Sequence, residues 1–167
     1  MQLSFSSEKD EEKILKSFYN LLNKNILLTL STVNKNEPYS NTAYYIFDKN
    51  FNLYIWSEIS SKHCQNIKKN NKIAVNIFNS NQTMGSLRQG IQALGRAYIV
   101  NNKELIKAGF LYIKRFPKII KFAKTPKDFH KKVFASKIYK LELNKIKIFD
   151  EKTFGEYEYR EINVKRG

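Results

Sequence analysis

The sequence predicts an α+β fold in which about six antiparallel strands form a barrel flanked by short helices. Three observations lead there. A helix-patterned N-terminal segment is followed by β-rich segments joined through short polar turns. A long strand is interrupted by isolated glycines, and a second helical stretch precedes a last alternating strand. Of the 167 residues, 42% are hydrophobic and 14% aromatic, enough for one domain with a real core and too few for two. A single domain over 1–167 is expected.

The first element is a helix over about 8–24. Acidic residues at its start suit the positive end of the helix dipole, and Ile14, Leu15, Phe18, Leu21 and Leu22 recur at helical spacing. The barrel strands are expected over about 26–100 and 135–150. ILLTLSTV (26–33) ends at the polar turn NKNE, PYSNTAYYIF (38–47) ends at DKN, and LYIWS (53–57) follows. Two short links in succession argue for a meander of antiparallel strands rather than crossover helices. Residues 60–71 read as a short helix, 72–78 as a strand, and 79–85 as a polar loop. A long strand over 87–100 then carries Gly90 and Gly95, which mark a bulge or bend of the kind barrel closure requires. A helical insert over about 102–133 is punctuated by Pro117 and Pro126. Alternation returns over 134–149, and the tail after 151 offers one more edge strand.

The net charge of +15 invites a nucleic-acid partner, yet all but five of the 30 basic residues are lysine. Lys, Asn and Ile are abundant together, as when base composition biases codon choice, and base reading favours arginine. Nucleic-acid binding is therefore disfavoured. No apolar stretch approaches the roughly 20 residues that span a bilayer, and the N-terminus shows no secretory signal. One cysteine, Cys64, cannot form an internal disulfide; it reads as a small buried packing residue in a reducing compartment. A cytoplasmic location away from membranes is expected.

His63, His130 and Cys64 have no metal-ligand spacing, so no metal is expected, and His130 reads as a surface residue. GxSxG, P-loop and GxGxxG motifs are absent, which removes support for nucleophile-elbow hydrolases, Walker-type NTPases and dinucleotide folds. The segment WSEISSKH (56–63) passes from a strand end into a helix start. There, backbone N–H groups, the hydroxyls of Ser57 and Ser61 and the Lys62 ammonium could cradle a phosphate. A serine cap followed by a solvated lysine accounts for the same residues.

PYSNTAYYIFD, LYIWSEISSKHCQNI and KIAVNIF, in this order and spacing, resemble the pyridoxamine 5′-phosphate oxidase-like split barrels that bind FMN. LRQGIQALG (87–95), Arg115-Phe116-Pro117 and the closing stretch 141–155 resemble its uncharacterised YhbP-like branch. The likeness spans helix one to about residue 155. It implies a six-stranded antiparallel split β-barrel, homodimeric, with FMN at the subunit interface and an FMN-dependent oxidoreductase activity of unassigned substrate. A non-catalytic module for flavin, haem or another planar ligand is the alternative.

Residue by residue, the resemblance implies that Asn41, Thr42, Ala43 and Tyr44 lie beside the isoalloxazine ring. Asn41 stands where the oxidases proper carry an arginine. Trp56 and Ser57 match the aromatic–hydroxyl pair that meets the cofactor, and Ser61, Lys62 and His63 match the phosphate-binding stretch. Arg88, Gln89 and Gln92 fall on the long strand that reaches the other subunit's flavin. Ile46 replaces the family's substrate-side lysine, and the C-terminal Arg-x-His is absent, so synthesis of pyridoxal phosphate is not expected. No catalytic base is nominated. The basic stretch 114–132 is either a solvated helix face or a field that favours an anionic substrate.

Overall fold

Ile14, Phe18, Leu21 and Leu22 are all buried, so the apolar stripe of the first helix is the face that closes onto the barrel core. The computed structural model describes residues 1–121, 123–130 and 135–166. Helix α1 (Glu11–Lys24) follows one 3-10 turn at Glu8–Asp10 and ends where the Asn25 backbone N–H and Nδ2 both donate to Leu21 O. The strands are β1 (Gln2–Phe5), β2 (Leu27–Asn34), β3 (Glu37–Phe47), β4 (Asn52–Glu58), β5 (Lys72–Phe78), β6 (Gln89–Ile99), β7 (Ser136–Asp150) and β8 (Tyr159–Lys165). Helix α2 (Lys62–Lys69) joins β4 to β5, α3 (Asn102–Arg115) follows β6, and the one-turn α4 (Glu151–Phe154) joins β7 to β8.

Six strands close in the order β7-β4-β3-β2-β5-β6, with β6 returning to pair β7, and every pairing is antiparallel. This is the split barrel that the sequence predicts. Lys35 and Asn36 both take positive φ, 48° and 64°, as a two-residue hairpin between β2 and β3 requires. The 15-residue β7 is shared along one edge: residues 136–142 pair with β4, and 145–149 with β8. β8 then pairs with β1, which the sequence reading missed. β1 has four residues and a partner near the opposite end of the chain, so nothing local signals it.

Gly95 sits where the β6–β7 register shifts. A Cβ there would lie 2.2 Å from the Glu142 carbonyl oxygen, so only glycine permits this close crossing of the two strands.

The long strand expected from residue 87 begins at Gln89. Arg88 precedes it, because its backbone N–H donates to the Glu151 carboxylate and its carbonyl accepts from the Glu151 N–H.

The insert contains α3 and 3-10 turns at Pro117–Lys121 and Pro126–His130, each opened by a proline. The rest of the expected helical insert, 131–133, and the start of the expected last strand at 134 lie outside the described residues, as does the His130 side chain. The insert has its own small core: Leu105, Ala108, Tyr112, Ala123 and Phe129 pack on Ile46, Tyr54 and Ile138 of the barrel wall. Among the described residues no helix is long and apolar enough to cross a membrane.

Candidate functional site

β3 and β4 pair over three positions only, Tyr45–Ile55, Ile46–Tyr54 and Phe47–Leu53. Beyond Tyr45, β3 stays with β2; beyond Ile55, β4 stays with β7. The barrel wall forks there, and the two lips of the fork are Asn41–Tyr44 and Trp56–Ser57. A cavity of about 620 Å³ opens at this point, lined on the barrel side by Asn41, Thr42, Ala43, Tyr44, Trp56, Ser57 and His63. The insert supplies the facing wall with Tyr112, Phe116, Lys118 and Ile119.

Tyr112 ties the fork. Its single hydroxyl proton is shared between Tyr54 O at 3.0 Å and Tyr44 O at 3.3 Å, one carbonyl from each strand. Burial pushes the Tyr112 phenol far above its ordinary value, so it is a protonated donor at neutral pH. Aromatic contacts extend the same seam. Phe129 meets Trp56 edge-on at 4.9 Å and Tyr112 at 5.6 Å, while Phe116 meets Tyr44 edge-on at 5.6 Å.

The polar corner of the cavity lies where β4 runs into α2. Ser61 occupies the N-cap position with extended backbone, but its hydroxyl does not cap the helix. It donates instead to Glu58 O at 2.7 Å. The first-turn amides of α2 therefore lack a side-chain partner, the state in which a helix start accepts an anion. Having given its proton to Glu58, Ser61 can only accept at its 3.2 Å contact with His63 Nε2, which assigns the imidazole proton to Nε2. The same N–H faces Ser57 Oγ at 2.6 Å, leaving the Ser57 hydroxyl proton for another acceptor. His63 is 7% exposed and is held in this orientation by the two serines.

Lys62 departs from this arrangement. Neither it nor Ser61 lines the cavity directly; as the first residue of α2 Lys62 is half exposed, and its ammonium lies 3.8 Å from Glu37 at the start of β3. Cys64 is buried as expected and faces a separate hollow beside α2. Burial raises its thiol, but contacts with His63, Ser61 and Tyr139 outweigh this and leave it below the ordinary thiol value.

Arg88, Gln89 and Gln92 also lie away from the cavity of their own chain. The Arg88 guanidinium is spent on Glu151, with Nε at 2.8 Å and Nη2 at 2.5 Å from Oε1. Gln89 Nε2 donates to Asp150 Oδ1 at 2.6 Å. Gln92 is exposed on the outer face of β6, beside Ser31, Asn76 and Lys147 in a groove of about 450 Å³.

Four lining residues, Tyr112, Phe116, Lys118 and Ile119, are not among the nominated site residues, although Phe116 belongs to the Arg-Phe-Pro run and Lys118 to the basic stretch 114–132. Nothing local places either stretch over β3. Asn41 contributes an acceptor, since its Oδ1 is buried and meets no hydrogen-bond partner among the described residues. Those residues hold no group of three His, Cys, Asp or Glu side chains that could bind a metal.

Comparison with known proteins adds three relationships. The pattern of the pyridoxamine 5′-phosphate oxidase family matches residues 14–145. UPF0306 protein PM1958 of Pasteurella multocida (strain Pm70) is 30% identical over 99 residues, which span 58% of this chain and 65% of that protein. Among solved structures, a heme binding protein from Mycobacterium smegmatis superposes with a TM-score of 0.70 at 11% identity, covering 89% of this chain and 56% of that one. HutZ, the heme storage protein from Vibrio cholerae, gives 0.64 at 14% identity, covering 78% and 90%. At these identities the superpositions show a common fold.

Proposed function

Since this chain belongs to the pyridoxamine 5′-phosphate oxidase family, we propose that it binds FMN in the forked cavity and acts as an FMN-dependent oxidoreductase. One observation carries the reading: the barrel side of a single cavity is lined by Asn41, Thr42, Ala43, Tyr44, Trp56, Ser57 and His63, seven residues that the family resemblance assigns to the cofactor. A volume of about 620 Å³ lies within the range of cofactor sites, and the lining combines aromatic surface with a few polar groups.

The donor set fits the two ends of FMN. The uncapped start of α2 and the Ser57 hydroxyl, oriented by His63 Nε2, supply donors for the phosphate. At the ring end, the unpartnered Asn41 Oδ1 suits a ring N–H, in place of the charge that the family arginine provides. Thr42 and the β3 backbone complete that edge. FMN would supply the hydride and electron chemistry, while the chain orients the ring between barrel and insert and limits access of water. Ile46 is buried in the insert core rather than lining the cavity, so the family's pyridoxine-phosphate contacts have no counterpart there. Of the three residues expected at the cofactor of a homodimer partner, Gln92 offers an exposed side chain in this reading, while Arg88 and Gln89 are engaged by Glu151 and Asp150.

Haem is the second reading, favoured by the names of the Mycobacterium smegmatis and Vibrio cholerae proteins. Against it, the Nε2 that His63 would offer to iron is engaged by two serine hydroxyls.

The test is titration of the purified protein with FMN, riboflavin and haem, followed by absorbance. FMN is expected to bind with a perturbed flavin spectrum and to be reduced by NAD(P)H. Ser57→Asp places a carboxylate against the phosphate and should weaken FMN by at least about tenfold, or about 1.4 kcal/mol, while riboflavin affinity is unchanged. Protein that ignores FMN and gives a haem Soret band would overturn the flavin assignment. Flavin that binds but is never reduced would remove the oxidoreductase activity alone.

A further inference from the structure

We propose that the outward face of α3 is a docking surface for a lipid bilayer rich in anionic headgroups, with Ile106 and Phe110 entering the bilayer and lysines meeting the headgroups. The helix carries apolar side chains on two sides. Leu105, Ala108 and Tyr112 face inward and complete the small core of the insert. Ile106 and Phe110, four positions apart on the opposite side, are 43% and 61% exposed. A surface helix ordinarily keeps polar residues on its solvent side, so this second apolar pair is left for an outside partner.

Charge decides the kind of partner. Lys103, Ile106, Phe110 and Lys114 follow one another at three- and four-residue spacing, which makes one stripe with an exposed lysine at each end. Among the described residues no carboxylate pairs with either lysine. The nearby acids are occupied. Glu104 accepts from Lys140 at 2.6 Å, Asp48 holds the Lys107 ammonium at 2.6 Å, and Asp128 is buried and accepts from the Thr125 backbone N–H at 2.7 Å. Lys118, Lys121, Lys124 and Lys127 are all exposed in the segment that follows. A Cβ on Gly109 would lie 2.7 Å from Pro126, so that segment is seated hard against α3 and its charges move with the helix. Lysine stems flanking an inserted phenylalanine reach back to headgroup phosphates. Acyl chains accept a protruding ring without a preformed pocket, which an acidic protein would have to provide. The contact lies in the headgroup layer and crosses nothing. The expectation of a location away from membranes rests on the lack of a spanning stretch, which does not bear on such a helix.

The test is co-sedimentation of the full chain with vesicles of phosphatidylcholine alone and of phosphatidylcholine mixed with phosphatidylglycerol. Binding is expected to the mixed vesicles only, and it should weaken as salt rises. K103Q/K114Q removes two charges near the lipid and should weaken binding about thirtyfold, and F110S about tenfold. K145Q/K165Q removes the same charge from β7 and β8, away from the insert, and should weaken it by less than about twofold. All five substituted side chains are exposed, so the fold is retained in each variant. Protein that stays in solution with both kinds of vesicle overturns the proposal and leaves the face to an acidic protein. Equal losses in the two double variants would overturn it as well, because attraction would then follow net charge and not this face. So would F110S protein that binds like the wild type, or that changes its oligomeric state without lipid, since a second copy would then cover the ring.

Discussion

Replacing Tyr112 by phenylalanine removes one oxygen from the point where the barrel wall forks. The ring stays, with its contacts to Phe129 and Phe116, so no cavity larger than a hydroxyl is created. What is lost is the proton shared between Tyr54 O and Tyr44 O. Tyr44 lies just beyond the last β3–β4 pair, Tyr45–Ile55, and Tyr54 within the ladder opposite Ile46, so the hydroxyl bridges the strands at the point where their own pairing ends. A buried hydrogen bond of this kind contributes about 1 kcal/mol, and carbonyls left dry add to the penalty, which puts the expected loss near 1.5 kcal/mol. For a chain of 167 residues that corresponds to a Tm drop of about 3 to 6 °C. Urea unfolding measures the free energy, and an FMN titration of the same variant reports the fork. With the lips untied, flavin affinity should fall along with stability. A Y112F protein as stable as wild type to within about 0.3 kcal/mol would show that the hydroxyl does not hold the two strands, and the account of how the cavity is shaped would fail.

Two further substitutions probe the scaffold. Gly95→Ala drives a Cβ into the Glu142 carbonyl, and relief requires breaking the β6–β7 ladder, so a loss of about 3 kcal/mol or failure to fold is expected; near-native denaturant midpoints would contradict the crossing described. Asp48 is buried and accepts from Lys107, Asn52, Tyr54 and the Asn50 N–H. Burial raises its carboxyl, yet these donors outweigh that and hold it below 3.8. Its stabilisation is therefore complete above the unfolded value and is lost as pH falls through the lower folded value. Between pH 5 and 2, wild-type stability should fall more steeply than that of Asp48→Asn, which at neutral pH should be about 2 kcal/mol less stable. Parallel acid-unfolding curves for the two proteins would remove Asp48 from the acid response.

Local pattern is enough to place most elements of this protein. The apolar stripe of α1, the alternation in β7 and the polar pair at 35–36 each draw on forces acting within a few residues, and these elements form where the pattern predicts them. The same holds for the corner between Trp56 and His63, where sequence neighbours remain spatial neighbours. Other features depend on chain closure. β1 exists because β8 is beside it, and Lys62 turns to Glu37 because the β2–β3 hairpin ends there. Arg88 turns to Glu151, 63 positions along the chain. The insert's four cavity residues are functional candidates only because Tyr112 reaches two carbonyls on separating strands. Side-chain contacts between distant segments leave no periodic trace in the sequence, since their geometry arises from packing the whole barrel and not from any one stretch of it.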